Sequence, residues 1–273
     1  MRKALLAAVL VAAGAPAVLA QTQRAVIDVH IHYSHDAWSM LPPPEAIKVL
    51  REAGLKKAFV SSSSDDGTQM LLKAAPDLIV PVLRPYRRRG ELGSWMRDPG
   101  IIAHVEGRLK ANTYAGIGEF HAYGADADTP VMRRMVELAK QYKIFLHAHS
   151  DADAVERMFK QNPEALVLWA HSGFDPADKV RAMLAKHPTL WADLAFRSDQ
   201  APSGKLDATW RQLFIDYPER FMVGTDTFTP ERWHYVVEHA AYSRKWLNEL
   251  PPDLADNIAF RNAERLAART LGQ

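Results

Sequence analysis

Eight short apolar runs recur along this chain, and amphipathic stretches separate them. The runs are "AVIDVHIHY", "KKAFVSSS", "LIVPVLRP", "YAGIGEFHA", "IFLHAHS", "ALVLWAHSG", "LWADLAFRS" and "RFMVGTDTF". Each is mostly β-branched or aliphatic, as suits a strand buried on both faces. The stretches between them read as helices. "PPEAIKVLREAG" opens on prolines and closes on Gly54, a start and a stop. "DTPVMRRMVELAKQYK" places Val131, Met135, Leu138 and Tyr142 at helical spacing. "DADAVERMFKQNP", "DPADKVRAMLAKHP" and "DATWRQLFIDYP" begin with Asp caps and stop before a proline. "SWMRDPGIIAHVEGRLKAN" is helical in part, and two more helices around 230–248 and 253–271 close the chain. Strand–helix alternation repeated eight times predicts an α/β protein with parallel crossovers, a (β/α)8 TIM barrel in a single domain. The rival is an open doubly wound sheet, but no Gly-x-Gly-x-x-Gly turn follows the first strand.

Barrels of this kind carry chemistry at the carboxyl ends of their strands. The first strand ends in His30 and His32, two apart and so on one side of the strand, with Asp28 one step deeper. The fourth carries Glu119 and His121, the fifth His147 and His149, the sixth His171, and the eighth Asp226. A single inward histidine is more often a satisfied core residue than a ligand. Together they are different, because burying so many unpaired imidazoles and carboxylates would cost on the order of several kcal/mol each. A divalent cation removes that cost. The chain has no cysteine, so the donors are nitrogen and oxygen, which suits Zn²⁺, with Mn²⁺ or Fe²⁺ as alternatives.

The start, "MRKALLAAVLVAAGAPAVLAQTQ", has two basic residues, a small-apolar stretch and Ala20 where a signal peptidase would cut. It reads as a secretory signal peptide over 1–20. A domain over 21–273 would then work in the periplasm or outside the cell, without a stable membrane anchor. The formal net charge is +2 and the basic residues are scattered, apart from Arg87, Arg88 and Arg89, so no nucleic-acid partner is indicated. Without cysteine an exported chain has no disulfides, and its core must hold the fold alone.

With these residues in place the sequence resembles the amidohydrolase superfamily of metal-dependent TIM barrels, nearest its amidohydrolase-related (amidohydrolase 2) members. The likeness runs from "DVHIH" through "FLHAHSDA", "LWAHSGF" and "MVGTDTF" to "NIAFRNAERLA". "GIGEF" also resembles the TatD-like deoxyribonucleases and the phosphotriesterase relatives. The resemblance implies that His30, His32 and Asp226 bind a buried metal, and that His147 and His171 bind a second if one is present. Glu119 takes the position of a carboxylated lysine or a bridging glutamate. "IFLHAHSDA" aligns with His147 as the ligand, which leaves His149 to the substrate or to support, beside His121.

The chemistry expected is hydrolysis of a small ester, lactone, amide or phosphoester by a metal-activated water, with Asp226 moving the proton and His171 polarising the substrate. Arg84 and Arg197 lie near strand ends and suit an anionic group on a small-molecule substrate. Tyr33, Trp38 and Trp95 could wall an apolar pocket, and "SSSSDDG" reads as a turn and helix cap. Two other readings remain: a metal-dependent decarboxylase or hydratase of the same superfamily, and an exported barrel that binds a metal or solute without turnover. A Ser-nucleophile hydrolase is poorly supported, since no Gly-x-Ser-x-Gly elbow is present. The sequence does not decide between a monomer and a homo-oligomer.

Overall fold

The structure is a computed structural model and describes residues 23–272; the expected signal peptide lies outside the described residues. Eight strands follow one another in a single parallel sheet: β1 (Val26–Ile31), β2 (Leu55–Val60), β3 (Ile79–Leu83), β4 (Gly116–His121), β5 (Phe145–His149), β6 (Val167–Trp169), β7 (Leu190–Asp193) and β8 (Phe221–Met222). Seven fall inside the apolar runs, and β2 begins one residue before its run, at Leu55. The helices between them are α1 (Pro43–Glu52), α2 (Asp66–Ala74), α3 (Gly100–Ala111), α4 (Pro130–Tyr142), α5 (Ala152–Gln161), α6 (Ala177–Lys186) and α7 (Ala208–Asp216). None of the described helices is long and apolar enough to cross a membrane.

Capping follows the sequence in part. Asp151 accepts from Ala154 N and Asp207 from Thr209 N and Trp210 N, fixing the starts of α5 and α7. Before α6 the cap position is Pro176 rather than an aspartate, and Asp175 pairs instead with Lys179. Two apolar layers form. Phe59, Val82, Phe145, Leu168, Trp191 and Met222 come from six different strands into one cluster, which is the inside of the barrel. A larger cluster fills the space between the sheet and its helices.

The first and last strands meet through the backbone. Val29 N donates to Val223 O (3.0 Å), Asp226 N to His30 O (2.9 Å) and His32 N to Thr227 O (2.8 Å), so the sheet edges are joined and a (β/α)8 barrel results. Asp28 reinforces this seam from within. Its carboxylate accepts from His30 N (3.0 Å), Thr225 N (3.1 Å) and Thr225 Oγ1 (2.7 Å). Burial lifts its pKa to about 6, against those donors, which favour the charged form. Asp28 therefore fastens strand to strand and does not orient an imidazole ring.

Removing a carboxylate that satisfies three buried donors leaves them unpaired. Asp28→Ala is expected to cost about 2–4 kcal/mol and Thr225→Val about 1 kcal/mol. Urea unfolding midpoints at constant m-value read both.

Candidate metal centre

His30 and His32 stand at the end of β1 with their Nε2 atoms turned toward two carboxylates. His30 Nε2 lies 3.4 Å from Glu119 Oε1 and 3.5 Å from Asp226 Oδ1. His32 Nε2 lies 3.2 Å from Glu119 Oε2 and 3.4 Å from Asp226 Oδ1. One donor atom from each of the four residues lies within 4.8 Å of the others, and all four residues are buried.

The rings are held from behind. His32 Nδ1 donates to the Ser61 carbonyl (2.6 Å), and His30 Nδ1 donates to Asp193 Oδ2 (3.1 Å). With that hydrogen committed, each ring in its neutral form presents a lone pair at Nε2, and neither Nε2 has a hydrogen-bond partner among the described residues. A lone pair set against a carboxylate oxygen repels it unless a positive charge stands between them. These donors thus fit a divalent cation. The surrounding carboxylates favour positive charge at this spot, as a second proton on His30 or as a cation in its place. Burial disfavours charge on His30, yet Glu119, Asp193 and Asp226 outweigh it and hold its pKa well above the ordinary value. Burial likewise pushes the Asp226 carboxyl up, but His30 and His32 overcome it and bring its pKa down to about 2.

A second group of donors adjoins the first through Glu119. His149 Nδ1 lies 2.7 Å from Glu119 Oε1, and His171 Nε2 lies 3.5 Å from that oxygen and 4.0 Å from Asp226 Oδ2. His171 Nδ1 donates to the Ala195 carbonyl (2.9 Å), so its Nε2 is also a lone pair. Glu119 sits where the β4–β5 register slips, between Gly118 and Phe120. Such irregularities redirect side chains near sites. Gly118 (φ +135°) is required there, because a Cβ would come within 2.2 Å of His147 O.

Two expectations change. His147 does not join the donors around Glu119; its Nε2 donates to Asp193 Oδ2 (2.9 Å), two strands away on β7, and burial pushes its pKa down to about 4. His149, two residues on and nearer the rim, takes the place beside Glu119 and His171. Arg197 does not reach the cavity either. It donates to the carbonyls of His171 and Asp175 (2.9 Å each), pairs with Asp199 and stacks 4.6 Å from the Trp210 ring, so it braces the loop that carries His171. Arg84 does line the cavity, with its Nη2 on Glu119 Oε2 at 2.9 Å. His121 lines it too, stacked 4.1 Å from His149 and bonded to Tyr86. Tyr33 and Trp95 are core residues, and the cavity wall excludes Trp38 as well.

The residue that the sequence reading missed is Asp193, at the end of β7. Oδ2 takes His30 and His147, and Oδ1 accepts from His171 N (2.8 Å) and Ala195 N (3.0 Å). The signal was there: a carboxylate closing a buried strand in "LWADLAF", as histidine closes its neighbours. The serine run after β2 also does more than turn the chain, since Ser61 holds both His32 and the Glu119 N–H, and Ser63 lines the cavity.

The loops that complete the site carry strained backbone. Among the described residues, five of the seven non-glycine positions with positive φ are His171, Ser172, Phe174, Phe196 and Asp226. Strain of this kind gathers at functional sites. The site opens into a cavity of about 350 Å³.

Solved structures share this fold. An uncharacterised TIM-barrel protein from Bordetella bronchiseptica superposes with a TM-score of 0.65 at 16% identity, over 91% of this chain and 100% of that one. A protein described as a 2-pyrone-4,6-dicarboxylic acid hydrolase from Acinetobacter baumannii gives 0.60 at 13%, over 89% and 99%. One described as a metal-dependent hydrolase from Lactobacillus casei gives 0.55 at 12%, over 90% and 96%. No protein-family model and no curated protein matches the sequence.

Asp193→Asn is expected to loosen His30 and weaken divalent-metal affinity about 10–100-fold while the barrel stays folded. Chelator-competition titration with circular dichroism checks this. The chain has the (β/α)8 barrel fold of these solved structures.

Proposed function

We propose that this chain is a metal-dependent hydrolase of the amidohydrolase type, acting on a small ester, lactone, amide or phosphoester. One observation carries the reading: bare imidazole nitrogens of His30 and His32 converge with Glu119 and Asp226 beside an open cavity. The donors favour Zn²⁺, with Mn²⁺ or Fe²⁺ as substitutes. His30, His32 and Asp226 would hold one ion; Glu119, His149 and His171 offer donors for a second. The N-terminal sequence adds export to the proposal.

A divalent cation bound there supplies Lewis acidity and lowers the pKa of water. The remaining work falls to the chain. Asp226 Oδ1 faces the histidine pair while Oδ2 faces His171, so one oxygen would help hold the ion and the other can take a proton and return it to the leaving group. Arg84 holds Glu119 by its side chain and its carbonyl, fixing the carboxylate without help from substrate. Tyr86 accepts from His121 N and donates to His121 Nδ1, which leaves Nε2–H as a donor. Burial pushes the pKa of His121 down to about 3, so this ring is neutral and suited to a substrate oxygen.

Elemental analysis should find one or two divalent ions per chain, and chelation should abolish hydrolysis across a panel of esters, lactones, amides and phosphoesters, with Zn²⁺ restoring it. Asp226→Asn should lower kcat about 10²–10⁴-fold with the far-ultraviolet dichroism unchanged. Full activity in a metal-free preparation would overturn the reading.

A further inference from the structure

Polar groups make the floor of the cavity, and its mouth is apolar. Leu92, Phe174, Phe196 and Phe228 all line it, yet they are 43%, 51%, 52% and 39% exposed. They come from four loops, after β3, β6, β7 and β8. A single exposed apolar side chain is ordinary, but four converging on one concavity mark a binding surface.

The rings are held in place. Phe174 lies parallel on His171, 4.5 Å between centroids. Phe174 and Phe196 both sit in left-handed backbone (φ 54° and 55°), a conformation that bulky residues avoid. The Arg232 guanidinium lies 4.5 Å from the centroid of Phe196 and 5.6 Å from that of Phe228, and donates to the carbonyls of Asp226 (2.7 Å) and Thr225 (2.6 Å). The aromatic wall is thereby fastened to the loop that carries Asp226.

The cations of the cavity are already engaged. Among the described residues only Arg84 and Arg89 bring a guanidinium to its lining; Arg84 donates to Glu119, and Arg89 pairs with Asp36. A substrate anion at the mouth would have to displace a carboxylate from one of them, whereas an uncharged ring meets apolar surface that is otherwise wet.

We propose that the non-reacting part of the substrate is an uncharged aromatic ring, seated among Leu92, Phe174, Phe196 and Phe228, with its hydrolysable carbonyl directed to the floor. The fate of that carbonyl rests on the hydrolase reading; the binding of the ring does not. The size agrees, since about 350 Å³ lies at the small end of ligand sites and suits one ring with a short acyl arm.

Calorimetric titration of the full zinc-loaded chain with benzyl alcohol, ethanol and para-carboxylated benzyl alcohol, none of which has a hydrolysable bond, tests this without turnover. Benzyl alcohol should bind at least about tenfold tighter than ethanol, and the para-carboxylate should weaken it about tenfold. Phe196→Ala and Phe228→Ala should each weaken benzyl alcohol about three- to tenfold and leave ethanol as it was. Absence of benzyl alcohol binding, or tighter binding of the carboxylated ring, overturns the proposal. If the ring preference holds but no chelator-sensitive hydrolysis is found, the ring site stands and the hydrolase reading falls. If hydrolysis is found but the carboxylated ring wins, the hydrolase reading stands and the ring site falls.

Discussion

A buried imidazole nitrogen that faces a carboxylate oxygen with no hydrogen between them is the interaction on which this molecule turns. His32 makes the case most clearly, because its one hydrogen is spent on the Ser61 carbonyl. What remains is lone pair against lone pair in a place that water reaches poorly. The surroundings impose that arrangement. Asp193, Ser61 and Ala195 each take an Nδ1 hydrogen, so the ends of two strands, β2 and β7, dictate which nitrogen of each ring looks inward. The negative field that raises the pKa of His30 is the same field that would attract a divalent ion.

The support extends outward in layers. Asp193 serves four donors and ties β7 to β1, β5 and the His171 loop. Arg197 holds that loop by its carbonyls, and Arg232 does the same for the Asp226 loop. Gly173 belongs to the same arrangement, since a Cβ there would meet the Trp169 ring at 2.1 Å. Left-handed backbone at His171 and Asp226 is sustained because hydrogen bonds to arginine and carboxylate over-determine it.

Much of the fold was legible because hydrophobic periodicity survives in a barrel whose strands are buried on both sides. All eight apolar runs became strands in the expected order. The pair His30 and His32, with Glu119 and Asp226, was legible for a related reason: imidazoles and carboxylates that close apolar runs end up buried, and buried groups of that kind need a partner or an ion. Depth was not legible. His147 and His149 share a face of β5, and alternation alone cannot say which lies level with Glu119; the structure puts the deeper one on Asp193. Asp193 escaped notice because one aspartate at a strand end looks like a turn residue. Arg197 looked like a substrate contact because the sequence shows that it follows a strand and does not show that carbonyls of the neighbouring loop consume its donors. The phenylalanine rim was hidden because loop conformation decides whether such a ring faces the core or the mouth.

Closure of the sheet between β1 and β8 has a consequence for how the molecule is made. His30 and His32 emerge first from synthesis, while Asp226 lies in the loop after the strand that arrives last, and the two ends meet only at the seam held by Asp28 and Thr225. A growing chain thus carries three of the four buried groups, His30, His32 and Glu119, from residue 119 onward and lacks the fourth until Asp226 follows. The long sequence separation makes their meeting a late event in folding. Capture of an ion by the full set then marks a polypeptide that has finished closing its ring.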